Sequence, residues 1–191
     1  HLDRTSISRQ REGLEVINSQ AKNLTTFLDS YHRLTHLPEP EYKTVSVQAL
    51  FTKLERLLQA EPRSERVVYC DGKVDRSTGK ELQVYGDANL LTLALINLIR
   101  NALQAVEGQE NGIVRVDTCA GATGHLLIII TDNGPGIPPE RLSAIFTPFF
   151  STKSGGSGIG LPISQRIMQL HGGQLSVSSI PNVRTEFRME F

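Results

Sequence analysis

An excess of charge of either sign is missing from this sequence of 191 residues: Lys plus Arg and Asp plus Glu are equal at 20 each. A surface so balanced carries no electrostatic signature for nucleic acid or an anionic membrane, and no nucleic-acid partner is expected. Also missing is any run approaching the ~20 apolar residues that span a bilayer, and the N-terminus has no signal-peptide pattern. Cysteine is scarce. Cys70 and Cys119 lie far apart and make no metal-type spacing. They read as buried thiols in a reducing compartment, so the expected location is cytoplasmic. An inner-membrane anchor, if the parent protein has one, lies outside these residues. Apolar content, in contrast, is ample at 39%, enough for a packed core.

The first 40 residues read as an appendage. Ile7, Leu14, Ile17, Ala21, Leu24, Leu28 and Tyr31 recur at alternating steps of three and four, with Gln10 out of character. That spacing predicts a coiled-coil-like helix with one apolar seam. Such a seam cannot bury itself. It needs a partner helix or a second copy, the other reading being that it packs on the domain that follows. Pro38-Glu39-Pro40 cannot continue the helix. The boundary therefore falls between an appendage, 1–40, and a globular domain, 41–191.

Within that domain a short strand is expected at Val45–Val47. A helix follows with Leu50, Phe51, Leu54, Leu57 and Leu58 on one face. Strands at Arg66–Cys70 and Leu82–Tyr85 flank a polar turn around Asp75–Gly79. A long apolar helix runs from Asp87, its N-cap, to Val106. Strands are expected at Ile113–Cys119 and Leu126–Thr131. The roughly 25 Gly-, Pro- and Ser-rich residues up to Gly160 are too many for an ordinary connection and read as a functional lid. A helix at Pro162–Leu170 and strands at Gln174–Ser179 and Thr185–Phe191 complete an α+β chain. The expected architecture is a two-layer α/β sandwich with helices on one face of a mixed sheet.

Four elements carry chemistry. Asn97 and Asn101 are four apart and share a face of an apolar helix, where buried amides are costly unless satisfied. An amide oxygen is also a suitable Mg²⁺ ligand where phosphates supply the charge. Asp132-Asn133-Gly134-Pro135-Gly136-Ile137 follows an apolar strand. A carboxylate there can accept a hydrogen bond from an exocyclic amine, and the glycines permit close approach of a ligand. Gly155-Gly156-Ser157-Gly158-Ile159-Gly160-Leu161 feeds a helix N-terminus, whose free N–H groups suit phosphate. Between these lies Ile145-Phe146-Thr147-Pro148-Phe149-Phe150-Ser151-Thr152-Lys153. It offers aromatic anchors for a lid and, in Lys153, a point charge for phosphate. Each element alone also fits a bland role: amides bonded to backbone, a tight turn, a linker, a solvated lysine.

In this order, the four elements resemble the N, G1, F and G2 boxes of the Bergerat-fold superfamily. It unites histidine kinases, gyrase-type topoisomerases, Hsp90 chaperones and MutL proteins. The resemblance covers roughly Val45 to Phe191. The Phe-x-Pro-Phe-Phe-Ser-Thr-Lys lid, the Asn97-Leu98-x-x-Asn101-Ala102 helix and His171-Gly172-Gly173 look most like histidine kinases of the nitrogen-regulation and dicarboxylate-sensing type. The resemblance implies ATP and Mg²⁺ as cofactors, with Asn101 on the metal and Asn97 and Lys153 near the phosphates. It implies that Asp132 binds the adenine amine in a pocket shaped by Gly134, Gly136 and Ile137, and that Phe146 belongs to the lid. Gly156, Ser157, Gly158, Ile159, Gly160 and Leu161 would surround the phosphates. Arg100 is a lesser candidate for a phosphate contact. One departure is Asn182-Val183-Arg184-Thr185, where kinases of this family carry a Gly-x-Gly-Thr segment. A second concerns the hydrolytic relatives, which place a glutamate where Asn97 stands. Asparagine cannot activate water as a base, which favours phosphoryl transfer to another nucleophile over dedicated ATP hydrolysis.

No histidine here has the context of a phosphoacceptor. His1-Leu2-Asp3-Arg4 lacks the family pattern, His32 and His36 sit near the linker as solvated or capping residues, and His125 and His171 have no acceptor surroundings. The chain is therefore expected to begin inside a dimerisation hairpin, keeping its second helix, and to bind ATP without phosphorylating itself. The implied partners are the phosphoacceptor helix of that hairpin, a response regulator receiver domain and a second copy paired through the N-terminal helix. The alternatives are a catalytically inactive nucleotide-binding scaffold and an ATP-driven clamp.

Overall fold

A computed structural model describes residues 14–15, 17–21, 24–25, 28, 31–32, 34–70, 81–120, 125–153 and 156–191. The expected turn at Asp75–Gly79, and Ile7 and Gln10 of the seam, lie outside the described residues. Every described residue between 14 and 35 is helical, a stretch labelled α1. Leu14, Ile17, Leu24, Leu28 and Tyr31 are all more than half exposed, so within one chain this seam faces solvent. Leu34 and Leu37, by contrast, pack against the core of the domain that follows.

Strand β1 (Lys43–Ser46) pairs antiparallel with β3 (Gln83–Gly86) in a small two-stranded sheet. Helix α2 (Val47–Leu58) starts at Ser46, whose hydroxyl accepts the Ala49 N–H at 3.1 Å. A hydroxyl at this position satisfies one of the orphan donors of the first turn. Val47, Leu50, Phe51, Leu54 and Leu58 form its buried stripe. Leu57, expected on that stripe, is 49% exposed, because the helical period carries it round to the solvent side.

A 3₁₀ turn at Ser64–Arg66 leads into β2 (Val67–Tyr69). Helix α3 spans Ala88–Ala105 and is capped by Asp87, whose carboxylate accepts from Asn89 N–H at 2.7 Å and Leu90 N–H at 3.0 Å. Then come β4 (Val114–Ala120), β5 (Leu126–Asp132), the short α4 (Pro139–Leu142), α5 (Gly160–Leu170), β6 (Gln174–Ile180) and β7 (Arg184–Glu190). Helix α5 begins two residues ahead of the expected Pro162. That proline still falls in the first turn, where its missing donor costs nothing.

The main sheet is five-stranded and mixed, in the order β2-β4-β5-β7-β6, with β2 and β4 parallel and every other pair antiparallel. Helix α3 packs on β4 and β5, and α5 packs on β6 and on α3. The core lies between: Val114, Val116, Ile128, Ile130 and Met189 of the sheet meet Leu91, Leu95, Leu98, Ile99, Ile167 and Met168 of the helices, all 1% exposed or less. Burying each of these side chains contributes ~1.5–3 kcal/mol relative to exposure, so the helix layer is held firmly on the sheet. The opposite face of β4 carries Arg115, Asp117 and Cys119 by strict alternation. The reading of both cysteines as buried is therefore corrected: Cys119 is exposed on that outer face, and Cys70, just past the end of the edge strand β2, is half-buried.

Candidate functional site

A cavity of about 610 Å³ lies between α3, the start of α5 and the long segment that joins β5 to α5. That volume is in the range of small-molecule pockets. Helix α3 contributes Asn97 and Asn101, which the helical period places on one face. Their surroundings differ. The Asn97 amide donates to the Gly160 carbonyl at 3.3 Å and so ties α3 to the first residue of α5. The Asn101 side chain has no hydrogen-bond partner among the described residues.

Asp132 forms the buried end of β5 and lines the cavity at 3% exposure. Its Oδ1 accepts the Gly134 N–H at 2.9 Å. Burial pushes its pKa up to about 6, and the Gly134 N–H and the Lys153 charge offset only part of that rise. A Cβ on Gly134 would stand 2.7 Å from Asp132 Oδ1, so this turn needs glycine. Gly136 adopts φ 74°, and a Cβ there would be 2.8 Å from the Ile180 carbonyl oxygen. Asn133 clamps the turn from the other side: its Oδ1 accepts from Ile113 N–H and its Nδ2 donates to the Asn111 carbonyl, both at 2.8 Å.

The far wall is the glycine segment and the lid before it. Lys153 donates to Gln104 Oε1 at 2.8 Å and to the Asn101 carbonyl at 3.4 Å. Its backbone stretch is exposed while its ammonium rests against α3. Burial there lowers its pKa, and the nearby Asp132 charge opposes the shift. Phe149 takes a left-handed φ of 65° and donates its N–H to the Gly158 carbonyl at 3.0 Å. Gly158 itself has φ 67°, and a Cβ on it would lie 2.6 Å from the Phe149 carbonyl carbon. Gly156, Ser157, Gly158, Gly160 and Leu161 all line the cavity, as does Ile137 opposite.

Three sequence-predicted positions are not on the cavity wall. Gly134 acts behind Asp132. Phe146 is half-buried against the core, and Ile159 is buried in it. Arg100 lines the cavity, but its guanidinium is engaged by Glu61, with Nε 2.9 Å from Oε1. Sequence reasoning missed Gln104, Arg141 and Phe187, which also line the cavity. Gln104 follows Asn101 by three and was findable from helical spacing. The others reach the wall only through tertiary packing. At the departing Asn182–Thr185 segment the chain turns without glycine: Asn182 takes φ 59° and donates its N–H to the Pro135 carbonyl at 2.8 Å. Asparagine tolerates that left-handed conformation, so the turn is preserved.

A helix-borne amide pair, a buried acid ending a strand and a glycine segment opening a helix, arranged around one cavity on an α/β sandwich, define an ATP-binding domain. Residues 86–191 match the family described as "Histidine kinase-, DNA gyrase B-, and HSP90-like ATPase", and the chain belongs to that family. Among curated relatives, it is 32% identical over 168 residues to the sensor histidine kinase ZraS of Salmonella typhimurium, covering 87% of this chain and 34% of ZraS. It is 33% identical over 184 residues to the sensory histidine kinase/phosphatase NtrB of Vibrio alginolyticus, covering 91% of this chain and 50% of NtrB. The chain thus spans a third to a half of these relatives. Among solved structures, the catalytic domain of histidine kinase ThkA matches with a TM-score of 0.64 and 28% identity, over 79% of this chain and 95% of that domain. ThkA crystallised with the response regulator protein TrrA shares the fold, with a TM-score of 0.67 and 23% identity, over 92% of this chain and 49% of that one.

Proposed function

We propose that this chain is the catalytic part of a sensor histidine kinase, transferring the γ-phosphoryl group of ATP to a histidine on a dimerisation hairpin for relay to a response regulator aspartate. The observation that carries it is the convergence of Asn97, Asn101, Asp132 and the Gly156–Gly160 segment on one cavity. The residues fit the nucleotide. Asp132 is a buried acceptor at the cavity wall, suited to the adenine amine, and Gly134 and Gly136 permit the tight turn that follows it. The start of α5 presents free backbone N–H groups to phosphate. Lys153, already beside Asn101, supplies a compensating cation.

The Asn101 amide, unpartnered among the described residues, fits a Mg²⁺ ion held mainly by phosphates and water. When bound, that ion neutralises charge on the transferring phosphoryl group. Asn97 has no basicity to activate water, and its hydrogen bond to Gly160 gives it a holding role at the phosphate end. Residues 1–40 are read as the hairpin's second helix plus linker, pairing with a second copy through the exposed seam, and 41–191 as the catalytic domain.

The test mixes this chain, γ-labelled ATP and a separate hairpin fragment bearing an acceptor histidine. Label appearing on the fragment supports kinase activity. ATP binding without transfer makes the chain a scaffold, and steady ATP turnover without acceptor makes it a clamp.

A further inference from the structure

The linker after α1 is fastened to the two helices that frame the cavity. Glu41 N–H donates to Asp87 Oδ2 at 2.8 Å, and the Tyr42 hydroxyl donates to the Leu170 carbonyl at 2.6 Å. Asp87 is the N-cap of α3, and Leu170 is the last residue of α5. His171 joins them. Its Nε2 accepts from Asp87 N–H at 2.9 Å, and its Nδ1 lies 2.7 Å from the Ile167 carbonyl. A backbone N–H can only donate and a carbonyl can only accept, so these partners define a neutral ring with its proton on Nδ1. The ring meets Tyr42 edge-on at 5.6 Å, and Tyr42 stacks on Tyr85 at 5.8 Å. Gly86 leaves the ring its space, since a Cβ there would stand 2.5 Å from His171 Cδ2.

Helix α5 has 11 residues, so it is a rod of about 16 Å. Its first residue, Gly160, holds Asn97 at the cavity, while its last holds the linker. A shift of the linker end of this rod is therefore felt at the phosphate end, because α3 and α5 are packed along each other.

We propose that Tyr42, His171 and Asp87 form a positioning cluster that docks the linker on α3 and α5 and sets the placement of the glycine segment against Asn97 and Asn101. Linker docking and nucleotide binding then reinforce each other. This rests on the cavity being the nucleotide site. Tyr42→Phe is the decisive variant, since it deletes the bond to Leu170 and keeps the ring.

Calorimetry with ADP and Mg²⁺, and hydrogen exchange of the Glu41 amide with and without ADP, are measured on the wild type and on Tyr42→Phe. The expected results are slower Glu41 exchange when ADP binds and an ADP affinity about fivefold weaker in the variant. Reciprocity caps the affinity loss in the variant at the factor by which ADP slows Glu41 exchange. A urea midpoint separates this from general destabilisation, and Tyr42→Ala, which also removes the stacking, is expected to lose more affinity. Equal ADP affinity in wild type and Tyr42→Phe, or a Glu41 amide indifferent to ADP, overturns the coupling and leaves the nucleotide site intact. If ADP fails to bind the wild type at all, the nucleotide reading and the coupling fall together.

Discussion

Lowering the pH should release adenine from this domain before it unfolds it. Asp132 is buried at the cavity wall, and burial raises its pKa to about 6. Only the ionised carboxylate is a full-strength acceptor for the exocyclic amine, so affinity should follow the ionised fraction. With a pKa of about 6 that fraction falls about tenfold between pH 7 and pH 5, a loss of about 1.4 kcal/mol in binding. Nucleotide phosphates titrate nearby, so the assay is calorimetry of ADP–Mg²⁺ at both pH values on the wild type and on Asp132→Asn, which keeps the shape and removes the titration. The wild type should lose about tenfold more affinity than the variant over that interval. The same shift sets a stability effect of opposite sense. A carboxyl whose folded pKa is raised favours folding below its unfolded pKa and loses that contribution as pH rises through the folded value. A rise from 3.8 to about 6 corresponds to about 3 kcal/mol. Asp132→Asn should therefore bind nucleotide weakly yet unfold at higher urea than the wild type at pH 7.5. Parallel pH profiles for the two proteins would refute the assignment of Asp132 as the titrating acceptor.

Gly158→Ala places a Cβ against the Phe149 backbone at a left-handed φ, so it should cost at least ~1–2 kcal/mol locally, read as weaker ADP binding with the β5 amides still protected from exchange. Leu98→Ala empties a fully buried site facing the sheet and should lower unfolding free energy by ~2–5 kcal/mol in urea titrations. Arg100→Ala removes a pair with Glu61 in which the arginine is half exposed, so stability should change by less than about 1 kcal/mol. Asp87→Ala removes the cap of α3 and should cost ~0.5–2 kcal/mol. Three backbone N–H donors outweigh burial and hold the Asp87 pKa below the ordinary range. Its contribution is therefore intact above the unfolded carboxyl pKa, fades as pH falls through the folded value, and should show as a difference between wild-type and Asp87→Ala acid titrations.

Much of the architecture was legible because local chemistry and tertiary role agree. The apolar period of α3 and its Asp87 cap located that helix to within a residue at each end. The apolar run from Leu126 located β5, and the glycine segment leading to Pro162 placed the start of α5 within two residues. What failed was any inference about which way a side chain turns once elements pack. Leu57 sits one step off the buried stripe of α2, and Cys119 falls on the outward set of an alternating strand. Phe146 reads as a lid aromatic by composition but is drawn into the core. The cavity wall was half legible for the same reason: Asp132 and Gly158 sit in turns whose chemistry is local. Arg141 and Phe187 reach the wall from α4 and β7, and no spacing in the chain encodes that convergence. His171 has no acceptor context in the sequence, and its place between Asp87 and Ile167 exists only in three dimensions.

Phe149 sits in a backbone conformation that costs a bulky residue of order 1–3 kcal/mol, held there by its bond to the Gly158 carbonyl. Breaking the bond to Gly158 relieves a cramped torsion, so part of the effort of freeing Phe149 is returned by the loop itself. The segment ahead of α5 thus rests in a conformation that its own backbone opposes.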